Sequence, residues 1–316
     1  MLKHEIYNSS EKNIRLDIFL VNHIDDYSRS KIKKLINEGC IKVDNYSVKS
    51  SYKLKGLEYI TIEDIETVQE NYIEKENIPI DIIYEDKSFI IINKPAGLVV
   101  HPGAGNKKGT LLNGLLYHFE ELSMMNDSRP GIIHRLDKNT SGVMIIAKSD
   151  RVHYMISEQF ANRTVRKVYR AVVWGKLPDV GNIEGYIKRD KKNRTKFMLH
   201  DSKGKYSFTK YKKIKDNKIF SYIELYPLTG RTHQLRVHLK KIGHPIVLDE
   251  TYGGGSKLIN NYHPNSKVTI KKMLNVINRS ALHAYKISFI HPIDNTKVIF
   301  KAPLPKDITK ILEYIS

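Results

Sequence analysis

Gly131-Ile-Ile-His-Arg-Leu-Asp-Lys-Asn-Thr-Ser-Gly142 sets one carboxylate, Asp137, in a polar loop between two apolar runs. Ile132 and Ile133 precede it, and Val143, Met144, Ile145, Ile146 and Ala147 follow. Short apolar runs bounded by Gly and polar residues predict buried strands, here a pair around Asp137. A loop carried by such a sheet can place a reactive group accurately. Arg135 and Lys138 flank the carboxylate with positive charge. A carboxylate in that setting suits nucleophilic or acid–base chemistry. An Asp that caps a turn fits the same spacing equally well.

Outward from this loop, apolar runs at Phe89–Ile92, Tyr169–Val173, Ile219–Leu225 and Ile287–Ile290 predict further strands. Helical spacing is expected near Thr110–Phe119, His153–Ala161 and Thr232–Lys241. That is too many strands for a helix bundle and too irregular for repeated βαβ units, so the class is α+β. In the last helix Thr232 would be the cap, Leu235, Leu239 and Ile242 the buried face, and His233, Arg236 and Lys240 the exposed face. Arg231 then stands at the helix entry, where the macrodipole and a guanidinium both favour an anion. An ordinary structural salt bridge from Arg231 is the plainer reading.

The chain has 316 residues, enough for about two domains, and 41% hydrophobic residues. No apolar run reaches 18 residues, so no membrane span is expected, and no secretory h-region opens the chain. Its single cysteine, Cys40, allows neither an internal disulfide nor a cysteine zinc site and is expected to be buried. His233 and His238 are five apart rather than four, so no helical metal pair is expected. No phosphate-binding loop or dinucleotide fingerprint occurs. The expectation is a cytoplasmic protein with no metal and no cofactor.

A net charge of +19 points to a polyanionic partner. The charge is segregated. Residues 186–218 hold 13 Lys or Arg against 3 acids, with Tyr186, Phe197, Tyr206, Phe208 and Tyr211 interleaved. Residues 58–76 hold seven acids and one Lys, and read as a linker. Residues 257–279 read as a solvated surface helix. Before the linker, Arg15–Val21 predicts a short helix. Ser28 or Ser30 would cap a second, which ends at Gly39. Ile41 and Val43, an Asp44-Asn45 turn and a return strand from Val48 predict a hairpin. The expected division is a tail over 1–13, a small RNA-binding domain with its acidic linker over 14–76, and a catalytic domain over 77–316.

His134-Arg-Leu-Asp-x-x-Thr-Ser-Gly142 resembles the signature of the RluA/RluD-type pseudouridine synthases. Four other blocks are similar to that family in its own order. They are Lys94-Pro-Ala-Gly-Leu-Val-Val-His-Pro-Gly103, Lys167-Val-Tyr169 through Gly175, Leu228-Thr-Gly-Arg231 through His238, and Leu282-His-Ala with Phe289-Ile-His-Pro292. Arg15, Ser28-Arg-Ser30, Gly39 and Val43-Asp44 resemble the S4 RNA-binding domain. The resemblance implies the pseudouridine synthase fold, a mainly antiparallel mixed sheet with peripheral helices and an RNA cleft. It implies isomerisation of uridine to pseudouridine in RNA without a cofactor, by a monomer acting on large-subunit ribosomal RNA or a pre-ribosomal particle. Transfer RNA is the alternative substrate. By the same resemblance Asp137, Tyr169 and Arg231 are catalytic, with Arg231 bridging to Asp137. Arg135, His134 and Leu235 handle the flipped base, although His134 reads more simply as loop support. Arg15, Ser28, Arg29, Lys33 and Lys49 would meet RNA in the S4 domain. A non-catalytic ribosome-assembly factor and an RNA glycosidase remain the competing classes.

Overall fold

The computed structural model describes residues 2–24, 29–64, 73–103, 105–126, 128–193 and 195–315. The chain divides into two units, Met1–Tyr72 and Ile73–Ser316. Ile73 to Glu76, expected in the linker, belong to the second unit. There Gly109 N–H donates to Glu76 Oε1, and Asn113 Nδ2 donates to Glu74 O. No helix among the described residues is long and apolar enough to cross a membrane.

The first unit runs β1 (Leu2–Asn8), α1 (Leu16–His23), α2 (Arg29–Asn37), β2 (Ile41–Val43), β3 (Tyr46–Ser47) and β4 (Glu58–Asp64), with sheet order β1-β4-β2-β3. Residues 2–13 are therefore not a tail. β1 pairs antiparallel with β4 from Leu2↔Asp64 to Asn8↔Glu58, covering an edge that would otherwise stay open. The start of the acidic stretch is itself a strand, because Ile60 and Ile62 alternate inward between polar neighbours. Asp44 and Asn45 both have positive φ (47° and 67°), the pairing a tight hairpin requires. That turn starts the return strand at Tyr46 and ends it before Val48, where the sequence placed its beginning. Leu16, Leu20, Ile32, Ile36, Ile41, Ile60 and Ile62 form the core, and Cys40 packs, partly buried, against it.

The second unit holds β5 (Ile82–Glu85), β6 (Phe89–Lys94), α3 (Leu111–His118), β7 (Ser141–Ala147), α4 (Asp150–Ala161), β8 (Arg166–Trp174), β9 (Val180–Arg189), β10 (Phe197–His200), β11 (Lys205–Asp216), β12 (Phe220–Pro227), α5 (Gln234–Lys241), α6 (Pro264–Leu274), β13 (Leu282–Ile290), β14 (Lys297–Lys301) and α7 (Lys306–Leu312). Its sheet runs β10-β9-β11-β12-β8-β13-β7-β6-β5, with β14 on β13. The pairings are antiparallel except β13 with β7. The two run so close at that junction that a Cβ on Gly142 (φ +120°) would lie 2.2 Å from Ala284 O.

Only one of the strands expected around Asp137 forms. Ile132 contributes a single bridge, to Ile146, while β7 takes β6 and β13 as its partners. The sheet carries two apolar cores. One gathers β6, β7 and α3 with Leu136; the other gathers β8, β12, α5 and α6. Tyr169 packs against both. α6 is solvated on one side only, since Ile270 and Met273 close the second core.

Candidate active site

The Asp137 loop is fixed from behind. Lys94 is fully buried, and its Nζ donates to Pro95 O (2.7 Å), Leu98 O (2.8 Å) and Lys138 O (3.1 Å). Burial draws its ammonium down to about 7, while the three carbonyls favour the charged form. Gly97 N–H also donates to Lys138 O. Before Asp137, the ring of His134 accepts the Ile145 N–H at Nε2 (3.0 Å). Burial, and then Lys167, hold this imidazole neutral, down to about 3. His134 thus ties the loop to β7. Leu136 turns into the core while Arg135 stays exposed beside His101, with Nη1 3.2 Å from its Nε2.

Asp137 Oδ2 receives Nη1 of Arg236 at 3.1 Å. The same guanidinium gives Nε and Nη2 to the two oxygens of buried Asp249, at 2.7 and 2.8 Å. Its Cζ lies 4.9 Å from the Tyr252 ring centroid. Burial disfavours the charge on Arg236, but Asp249 and then Asp137 outweigh it and hold the guanidinium above its ordinary range. His233 Nε2 is a second neighbour, 3.8 Å from Asp137 Oδ2. The His233 Nδ1 meets Tyr252 OH at 2.8 Å, and that oxygen accepts the Phe197 N–H. Tyr252 thus holds the His233 ring by Nδ1, with Nε2 on the side of Asp137.

The bridge expected from Arg231 is made by Arg236 instead. His233, not Thr232, is the N-cap, with a left-handed backbone (φ 55°, ψ 18°). The helix therefore starts at Gln234, and Arg236 in its first turn reaches the loop. Arg231 stays outside and donates Nε to Tyr206 O (3.1 Å). Arg236 was expected on an exposed face; the segment bearing Asp249 and Tyr252 covers it.

Asp137, Tyr169, Arg231, Leu235, Arg135 and Lys167 line one cleft of about 500 Å³, counting the part open to solvent. Burial, and then Asp137, push the Tyr169 phenol up, so it stays protonated. A second groove, with Lys188, Arg189, Phe197 and Lys205, shares Gly230 and Arg231 with this cleft.

In the first unit Arg15 is committed to buried Asp17 through Nε and Nη2 (2.9 and 3.1 Å), and Lys33 Nζ approaches the same carboxylate at 3.8 Å. Lys49 is exposed. Ser28 and the side chain of Arg29 lie outside the described residues. Sequence reasoning missed Arg236, Asp249, His233 and Lys167. The i, i+2 alternation from Tyr169 would have found Lys167.

Residues 88–241 match the family described as RNA pseudouridylate synthase, and residues 14–57 match the S4 domain. The chain is 42% identical over 302 residues to ribosomal large subunit pseudouridine synthase D of Neisseria meningitidis serogroup B, covering 95% of this chain and 78% of the relative. It is 37% identical over 308 residues to an uncharacterized RNA pseudouridine synthase of Bacillus subtilis, covering 97% and 95%. The human RNA pseudouridylate synthase domain containing 4 superposes with a TM-score of 0.57 at 25% identity, over 74% of this chain and 92% of that one.

Proposed function

Because the chain belongs to the RNA pseudouridylate synthase family, we propose that it converts uridines of large-subunit ribosomal RNA to pseudouridine, with Asp137 as the essential group. The reading of substrate follows the name borne by the Neisseria relative. The clamp of Arg236 on Asp137, anchored by Asp249 at the wall of a cleft, is the observation that carries the chemistry.

The reaction exchanges an N1–C1′ bond for C5–C1′ in the same nucleotide. Those atoms are hidden in stacked RNA, so the uridine flips out at a cost of a few kcal/mol. Arg135, exposed on the loop before Asp137, fills the vacated stack. Tyr169 offers its ring to the base, a contact worth roughly 1–3 kcal/mol, and Leu235 backs the pocket. Asp137 then acts on the sugar. Attack at C1′ and removal of a ribose proton both call for this carboxylate, aimed by Arg236 and His233. Lys188, Arg189 and Lys205 in the adjoining groove meet the flanking phosphates, and Phe197 beneath Arg189 gives a base a stacking face. The S4 unit adds phosphate contacts through Lys33 and Lys49. The protein works in the cytoplasm as a monomer.

The test is pseudouridine mapping on unmodified ribosomal RNA, comparing the wild type with Asp137→Asn. New pseudouridines with the wild type alone are expected. No pseudouridine on ribosomal RNA, free or in precursor particles, defeats the substrate reading, and turnover by Asp137→Asn removes Asp137 from its role.

A further inference from the structure

We infer that Lys167 is a further catalytic residue, whose ammonium receives the negative charge that gathers on uracil as the N1–C1′ bond breaks. The inference rests on the reaction proposed above. Lys167 and Tyr169 are two apart on β8, so both side chains leave the same face of the sheet and both line the cleft. A ring stacked over the base and a cation at the edge of the same base follow from that spacing.

Four cations line this cleft: Arg135, Lys167, Arg231 and Arg236. Arg236 is held by Asp137 and Asp249. Arg231 donates to Tyr206 O, and Arg135 meets His101. Lys167 Nζ has no hydrogen bond and no carboxylate within 4.0 Å among the described residues. The Phe160 ring centroid lies 5.7 Å from it, and a Cβ on Gly230 would sit 3.6 Å from Nζ. The charged and titratable groups around it are neutral His134 behind, and Asp137, Arg135, Arg231, His233 and Arg236 across the cleft. Burial lowers its ammonium to about 8. An unpaired, desolvated ammonium is costly, and such costs gather where a ligand supplies the missing partner.

The chemistry supplies that partner. When N1–C1′ breaks, its electron pair leaves with N1 and spreads over O2 and O4 of the base. C1′ then bonds to C5, C5 releases its hydrogen as a proton, and N1 takes one up, so nothing is consumed. By either route through Asp137, the base is most anionic as N1–C1′ opens. A fixed cation at that point stabilises the transition state more than the neutral uridine.

Single-turnover rates at saturating RNA, together with RNA affinity, test this with Lys167→Met and Lys167→Arg. Lys167→Met should lose about 10²–10³-fold in rate, the cost of removing one such donor, while RNA affinity is unchanged. The wild-type rate should fall as pH rises through about 8, where Lys167 loses its proton. That limb should vanish in Lys167→Met and move to higher pH in Lys167→Arg. Weakened affinity with an unchanged saturating rate would make Lys167 a phosphate contact and overturn the inference. So would a Lys167→Met profile that keeps the alkaline limb. If Lys167→Met fails to fold, the shift of the limb in Lys167→Arg decides. Absence of pseudouridine with the wild type would instead refute the underlying reaction.

Discussion

Replacing Arg236 with Gln removes a guanidinium that two carboxylates share. Asp249 is 2% exposed and would lose both of its charged hydrogen bonds. Stranding one member of a buried pair costs about 3–5 kcal/mol. The bond to Asp137, whose side chain is 28% exposed, adds on the order of 1 kcal/mol. The Gln amide restores one donor, so a net loss of about 3 kcal/mol is expected. For a unit of this size each kcal/mol moves Tm by roughly 2–4 °C, which gives a fall of about 6–12 °C. Calorimetry reads the stability, and pseudouridine formation reads the chemistry. The double variant Arg236→Met, Asp249→Leu separates the two. It removes both charges, so most of the melting temperature should return, but Asp137 still lacks its cation and turnover should stay lost. An Arg236→Gln protein that melts and turns over like the wild type would refute the clamp. A double variant that regains turnover would show that Arg236 acts only through stability.

Three further outcomes are expected. Ser207 Oγ gives its proton to Gly185 O and so accepts from His238 Nε2, leaving buried Nδ1 without a partner. Burial keeps this ring neutral, down to about 4. Between about 6.5 and 4 the unfolded chain binds a proton that the folded one refuses, so stability is lost as pH falls through that window. Urea midpoints should drop there, and less steeply in His238→Gln; an equal slope would clear His238. Lys94→Met leaves the Pro95 and Leu98 carbonyls without their donor, at about 1–3 kcal/mol for each one buried, while Lys138 O keeps the Gly97 N–H. Amide exchange at Gly97, whose N–H meets Lys138 O, should quicken, and unchanged protection would count against the strut. Removing residues 1–72 should weaken RNA binding and flatten its salt dependence; an unaltered slope would deny the S4 unit its role as an RNA anchor.

Much of the scaffold could be read from short-range pattern. Phe89–Ile92 and Val143–Ala147 are buried on both faces and so appear as continuous apolar runs. Thr110 caps a helix close to the expected bounds. β9 to β11 were less visible, because their inward residues include Ser207 and Thr209, both fully buried and satisfied by hydrogen bonds. Polar residues inside and lysines outside leave no apolar alternation to detect. β1 was missed because its partner lies 50 to 62 residues away. At the site, Asp137, Tyr169 and Leu235 stood out by motif. The clamp did not. Arg236 lies 99 residues from Asp137, and a left-handed turn at His233 decides which arginine reaches it. Nothing local in the sequence marks that turn.

Tyr169 touches both cores, and the two halves of the Asp137–Arg236 pair belong to different ones: Asp137 follows Leu136 of one, and Arg236 follows Leu235 of the other. The pair is therefore a property of the finished molecule. During synthesis the Asp137 loop emerges about a hundred residues ahead of its arginine, with Asp249 later still. A half-made chain holds the carboxylate without the arginine that meets it in the finished fold.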